Sequence, residues 1–295
     1  MNNSELEKWH EAGRIAAKAL EYGTSLIKKG AVVREVCDLI DQKIVELGAK
    51  PAWPSQVSIN HIAAHFTPDE DDGSVFGEDL VSLDVGASVD GYIGDTASTI
   101  DLSGKWTTLV RTALKALEEA VKEVKHGARL SDIGTRIQET ITAGGFSPIK
   151  NLSGHGISRF VIHDRPIVPN HTTGSPERLV EGQVIAIEPF ATTGRGMVRE
   201  AESCNIFSLE KHRPVRSPFA REIQDFIEDN YGPLPFTTRW IAKRFGAGKA
   251  KLGLRELMAV GALHKYPPLI EASNGMVAVF EKTLLVTQNG CEILT

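Results

Sequence analysis

The chain has 295 residues, 41% apolar and 24% charged, enough for one large or two smaller globular domains with a full core. Its net charge of −5 and scattered Lys and Arg leave no basic stripe, so no stable nucleic-acid complex is expected. Three well-separated cysteines, Cys37, Cys204 and Cys291, form neither a disulfide framework nor a thiolate metal site and fit a reducing compartment.

The polar start MNNSELEKWHEAG lacks the apolar centre of a secretion signal, and no apolar run approaches a membrane span. A cytoplasmic protein is the expectation. From Ser4, residues Leu6, Trp9, Ala12, Ile15, Ala16 and Ala19 recur at helical intervals, with Ser4 and Glu7 as a capping box. A second helix is predicted over 32–47, where Val33, Val36, Ile40, Ile44 and Leu47 form one stripe between Gly30 and Gly48. The extended KPAWP leads into SINHIAAHFTPDEDDG, which carries His61 and His65. SLDVGASVDGYIGDTAS follows: an apolar run ending in Asp84, a Gly- and Asp-rich turn, and a returning strand with Asp95 eleven positions on. Such a hairpin sets two carboxylates side by side. Two close negative charges need a cation or a shared proton; the bland alternative is a surface hairpin with two unrelated acids.

After Gly104 the order begins again, with helices predicted at about 106–124 and 130–143, separated at Gly127. Adding 97 to the residue number takes Gly30 to Gly127, Ala31 to Ala128, Ile40 to Ile137, Gly48 to Gly145 and Pro51 to Pro148. Breakers that recur where helices end argue for an internal duplication. The offset then drifts to 104, so that EDLVSLD overlies the end of EGQVIAIE and Asp84 falls on Glu188. The matching return strand is MVAVFEKTLLV, with Glu281. Each half therefore supplies an acidic pair, Asp84 with Asp95 and Glu188 with Glu281. The second pair is 93 positions apart, which marks 194–274 as an insertion subdomain within a single catalytic domain of 1–295. The insertion reads as mostly helical, through AREIQDFIEDNYG and AKLGLRELMAVGALHKY, with RPVRSP and GPLPF as turns. Ahead of it, His155 lies in a Gly-His-Gly turn and His163 follows eight residues later.

Four carboxylates and an imidazole on strand ends and a Gly-rich turn form a ligand set for two close divalent cations. Oxygen-rich ligation with one nitrogen favours manganese, iron, cobalt or zinc. Carboxylates bridging ions roughly 3.5–4 Å apart would hold a water or hydroxide as nucleophile while one ion polarises a carbonyl. Histidines at the rim could steady the oxyanion or the leaving amine.

On KPAWP, SINHIAAHFTP, SLDVG, GYIGDTA, SGHGISRFVIHD, AIEPFATTG, YGPLPFTTRW and VAVFEKTLLV, the chain resembles the type 2 methionine aminopeptidases of archaeal form nearly end to end. SLDVG with its Asp at plus eleven is shared across the pita-bread superfamily, whereas AAHFTP, AIEPF and YGPLPFTTRW point to type 2. The resemblance implies an α+β pita-bread (creatinase/aminopeptidase) fold: pseudo-twofold halves, a curved antiparallel sheet backed by four helices, and a helical insertion. It further implies that Asp84 chelates one metal ion, that Asp95 and Glu281 bridge two, and that His155 and Glu188 complete the second site. His65 would act on the scissile amide, and His163 would bind the peptide carbonyl and its tetrahedral intermediate. Trp53, where relatives often carry Phe, and Ile162 would wall the methionine pocket, while His61 falls on a variable, structural or rim position. The implied activity is metal-dependent removal of the initiator methionine from nascent polypeptides, favoured by a small second residue. The implied molecule is a monomer that associates transiently with the ribosome and not with a membrane. The rival readings are an X-Pro peptidase, which usually carries an additional N-terminal domain, and a non-catalytic binding protein, which would have lost ligands; all five are present.

Overall fold

The computed structural model describes residues 2–295. The first helix, α1 (Asn3–Leu26), is capped by Asn2 rather than Ser4: the Asn2 side chain accepts the Glu5 N–H at 3.0 Å, and Glu5 accepts the Asn2 N–H at 2.8 Å. The box starts two residues early because Asn is as good a cap as Ser, and Glu5 serves at N3 as Glu7 would have. Helix α2 (Val33–Glu46) buries Val33, Val36, Ile40 and Ile44. Each such side chain, fully withdrawn from water, stabilises the fold by about 1.5–3 kcal/mol.

The second half repeats this arrangement with α3 (Thr107–Lys122) and α4 (Leu130–Ala143). Gly30 and Gly127 adopt φ of 82° and 78°, and Gly48 and Gly145 adopt 96° and 85°, so each aligned pair makes the same left-handed turn. The strand registers carry both offsets as well: Pro51 pairs with Ala87, and Pro148 pairs with Ala191.

Among the described residues nine strands form the principal sheet, every pair antiparallel. Its middle runs Leu80–Val89, Tyr92–Asp101, Glu281–Val286, Val184–Ile187, Ser153–Ser158. The two halves meet where Tyr92–Asp101 pairs with Glu281–Val286, and the strand of Asp84 lies outside one as the strand leading to Glu188 lies outside the other. Alternation sorts the side chains by face. Val81, Leu83, Val85 and Ala87 pack into the cluster of α1 and α2; Ile185, Ile187, Leu284 and Val286 pack into that of α3 and α4. The residues between them face the other way, toward the site. MVAVFEKTLLV is two strands, Val277–Val279 and Glu281–Val286, with the break at Phe280.

The segment 194–274 is less helical than its sequence suggests. It contains α5 (Pro218–Tyr231), α6 (Thr238–Phe245) and α7 (Ala247–Ala259), but also a three-stranded sheet of Ile206–Leu209, Phe236–Thr237 and Leu263–Lys265. These short strands and the two-turn α6 are too brief to show a period. Phe207, Ile223, Ile227, Phe236, Leu254 and Leu257 give this segment a hydrophobic cluster of its own. At its neck the buried Glu271 carboxylate accepts N–H groups of Arg195 at 2.6 Å, Ser273 at 2.7 Å and Gly275 at 2.9 Å, tying both chain crossings together. Among the described residues no helix is long and apolar enough to cross a membrane.

Candidate metal centre

Pairing register brings the five sequence-predicted residues to one face. Ala97 lies opposite Asp84 on one side and Glu281 on the other, and Asp95 is two residues before Ala97. Thr283, two beyond Glu281, is opposite Ala186, which is opposite His155; Glu188 is two beyond Ala186. Directly opposed residues share a face, as do residues two apart, so all five side chains project to the side away from the helices. His155 lies inside the strand Ser153–Ser158 rather than in a turn. Its flanking glycines serve close strand contact: a Cβ on Gly154 would come within 2.3 Å of the Ala186 carbonyl, and one on Gly156 within 2.0 Å of that of Arg165.

The ligand atoms of Asp95, His155 and Glu281 all lie within 4.8 Å of one another. His155 Nε2 stands 3.7 Å from Asp95 Oδ2 and 3.6 Å from Glu188 Oε1, too far for hydrogen bonds and wide enough to admit a shared cation. Asp95 is fixed through its backbone, which exchanges hydrogen bonds of 2.9 and 2.8 Å with Thr283 Oγ1. Its Oδ1 is buried without any hydrogen-bond partner. Burial raises all four carboxyls, Asp84 to about 7, and neighbouring carboxylates add to the rise at Asp95, Glu188 and Glu281. Stacking four acids out of water around an orphaned oxygen is unfavourable unless a positive charge joins them. The donor set, hard oxygens with one imidazole nitrogen, fits divalent metal ions.

A cavity opens over this face, and Trp53, His65, Ile162 and His163 line it together with all five acid and imidazole groups. Trp53 Nε1 donates to Asp84 Oδ1 at 3.3 Å, and its ring lies so close to Gly86 that a Cβ there would meet it at 2.4 Å. His163 stacks edge-on against His155 with ring centroids 4.6 Å apart. Burial, then the neighbouring His163, lowers His65 to about 4; the same causes lower His155 to about 3, and burial lowers His163. His65 Nδ1 is buried without a partner and its backbone adopts φ 64°, with its N–H on Gln56 Oε1 at 2.7 Å. His61 does not line the cavity; its carbonyl accepts the Glu271 N–H at 2.9 Å.

Among the lining residues that escape sequence reasoning are Gln56 and Tyr266. Gln56 pairs with Asp84 across the strands, and the alternation of polar Gln56 and Ser58 with Val57 and Ile59 is the signal that could have found it. Tyr266, edge-on to His65 at 5.9 Å, comes from an irregular stretch that carries no such signal.

Residues 7–212 match the model of metallopeptidase family M24. The chain belongs to that family. It is similar to the methionine aminopeptidase of Archaeoglobus fulgidus, 45% identical over 296 positions covering 100% of each chain. Among solved structures, methionine aminopeptidase from Thermotoga maritima has a TM-score of 0.74 at 28% identity, covering 100% of this chain and 98% of that one. Prolidase from Pyrococcus furiosus, at 21% identity and a TM-score of 0.64, shares the fold, but this M24 chain covers only 64% of it. The architecture is the M24 pita-bread fold, with its antiparallel sheet curled beneath the helices.

Proposed function

We propose that this M24 metallopeptidase releases the N-terminal methionine from new polypeptides, preferring those with a small second residue. The observation that carries this reading is the single buried face on which Asp84, Asp95, His155, Glu188 and Glu281 meet beneath a cavity walled by Trp53 and Ile162. Those five would hold two divalent ions, cobalt, manganese, iron or zinc. Bound there, the ions supply Lewis acidity toward the scissile carbonyl and a nucleophilic water at neutral pH.

The protein's own contribution is orientation and proton placement. Trp53 and Ile162 enclose an apolar side chain and exclude water from the reacting end. Trp53 also holds Asp84 by its indole N–H, fixing the carboxylate that it borders. His65 and His163 are neutral at pH 7, since both lie below the ordinary histidine range. Each can therefore donate one ring N–H without bringing a positive charge to the cation site. His163 is assigned to the peptide carbonyl oxygen as charge develops on it, and His65, whose Nδ1 has no protein partner, to the scissile amide. Work on nascent chains implies a cytoplasmic monomer that meets the ribosome transiently.

The reading is tested by methionine release from Met-Ala-Ser, Met-Leu-Ser and Ala-Pro-Ser by metal-loaded protein. Rapid turnover of the first, poor turnover of the second and none of the third is expected. Preference for Ala-Pro-Ser would replace it with an X-Pro peptidase, and no turnover by protein of full metal content would replace it with a binding protein.

A further inference from the structure

Arg239, in the stretch YGPLPFTTRW, is the largest fully buried side chain among the described residues, and it does not line the cavity over the acidic face. It projects from α6 in the inserted segment into the first half. Its Nε donates to Asp38 Oδ1 at 2.8 Å and its Nη2 to Asp41 Oδ2 at 3.1 Å, both on α2. Its Nη1 donates to Thr67 Oγ1 at 3.0 Å and to the Pro68 carbonyl at 2.6 Å. Asp41 Oδ1 in turn accepts the Ser55 N–H at 2.9 Å and hydroxyl at 2.7 Å, and Thr67 Oγ1 donates to the Ser55 carbonyl at 2.9 Å. Arg239, Asp41, Ser55 and Thr67 thus close a ring of buried hydrogen bonds. Around it, Asn205 Nδ2 donates to the Thr67 carbonyl at 2.7 Å and Trp240 Nε1 to Asp41 Oδ2 at 3.0 Å.

The ring closes two residues from each of two cavity residues: Ser55 follows Trp53, and Thr67 follows His65. The intervening backbone is zipped, since the Val57 N–H donates to the Phe66 carbonyl at 2.8 Å. His65 itself sits at φ 64°, a conformation that a side chain larger than glycine holds only where its surroundings dictate it. Gln56 fixes the near side of that residue through its backbone N–H, and the Arg239 fork fixes the far side. A bidentate guanidinium buried among two carboxylates, a hydroxyl and a carbonyl is a rigid geometric element that lysine cannot reproduce.

We propose that Arg239 is a positioning residue, through which the inserted segment sets the placement of His65 and Trp53 over the metal face. The proposal rests on the methionine aminopeptidase reading for its kinetic consequence but not for its structural one. Removing the fork lets the loop relax from φ 64°, so His65 is lost from the reacting end while the five acid and imidazole groups stay in place. The effect falls on kcat more than on KM, because a misplaced group that acts in the transition state leaves ground-state binding largely intact.

The test uses full-length Arg239→Lys and Thr67→Val, with Thr67→Ser as the conservative rescue and Ser217→Ala as a control. Ser217 donates to Glu256 elsewhere in the insertion, so its loss weakens the segment without touching the ring. Kinetics on Met-Ala-Ser are read beside the imidazole NMR signals of His65. Arg239→Lys and Thr67→Val are expected to lower kcat about tenfold or more with KM within about threefold, metal content unchanged and the His65 signals shifted. Thr67→Ser should restore both readouts, and Ser217→Ala should change neither. Unshifted His65 signals, or a kcat loss matched by Ser217→Ala, would overturn the proposal. Should Arg239→Lys fail to fold, the Thr67 pair decides it alone. Shifted signals in a protein whose wild type never cleaves Met-Ala-Ser would support the clamp and sink the functional reading instead.

Discussion

His65 and the four acids carry opposite electrostatic problems, and both bear on activity. His65 is held uncharged near the acidic face by burial and then by the neighbouring His163. His65→Ala is therefore expected to cut kcat by about 10²–10⁴-fold, the usual loss of a positioned acid or base, with metal content by elemental analysis unchanged. The acids behave differently. In metal-free protein their carboxyls are raised, Asp84 to about 7, so they bind protons at pH values where the unfolded chain does not. A raised carboxyl is free of cost below its unfolded value near 4, and it weakens the fold as pH climbs toward the folded value. Cation binding removes that cost and displaces the protons, so metal affinity and the gain in Tm on adding manganese should both be larger at pH 8 than at pH 5. His155, already neutral down to about pH 3, should not contribute to the displaced protons. Calorimetry of manganese binding in buffers of different ionisation enthalpy counts them; a zero count at pH 7 would contradict the raised carboxyls.

At the scale of elements, the long pieces were legible and the short ones were not. Four helices of 24, 14, 16 and 14 residues show their apolar stripes in the sequence, and an alternating hairpin shows its two acids. The clustering of the acids on one face was legible for a further reason. A duplication puts Glu188 and Glu281 where Asp84 and Asp95 already are, and an offset is visible without any structure. What could not be read were contacts made by two- to four-residue strands in the insertion, and by Arg239 in an eight-residue helix, which fulfil no period. His155 was misplaced into a turn because glycines that admit a neighbouring strand look the same in sequence as glycines that bend a chain. The neck of the insertion is another long-range feature of this kind. Replacing Glu271 by Ala leaves the partly buried N–H groups of Arg195, Ser273 and Gly275 without their acceptor, and should cost about 1–3 kcal/mol. Urea unfolding measures the loss, and faster amide exchange at those three residues locates it.

The whole molecule is two helix-backed halves of one sheet that meet at their acidic strands, with segment 194–274 bonded to the first half through Arg239. The symmetry explains why the charged groups gather at the centre: each half presents its polar face to the same side, and the five candidate ligands come from both. Catalysis therefore belongs to the joined halves, and it should stand or fall with the cation that makes four buried acids tolerable. The most direct measurement is methionine release from Met-Ala-Ser by chelator-stripped protein titrated with manganese or cobalt, alongside Asp95→Asn treated identically. No release without added metal is predicted, with a rise to a plateau by two ions per chain and none at any metal concentration for Asp95→Asn. Release that survives chelation, or that Asp95→Asn recovers in full, would contradict the account.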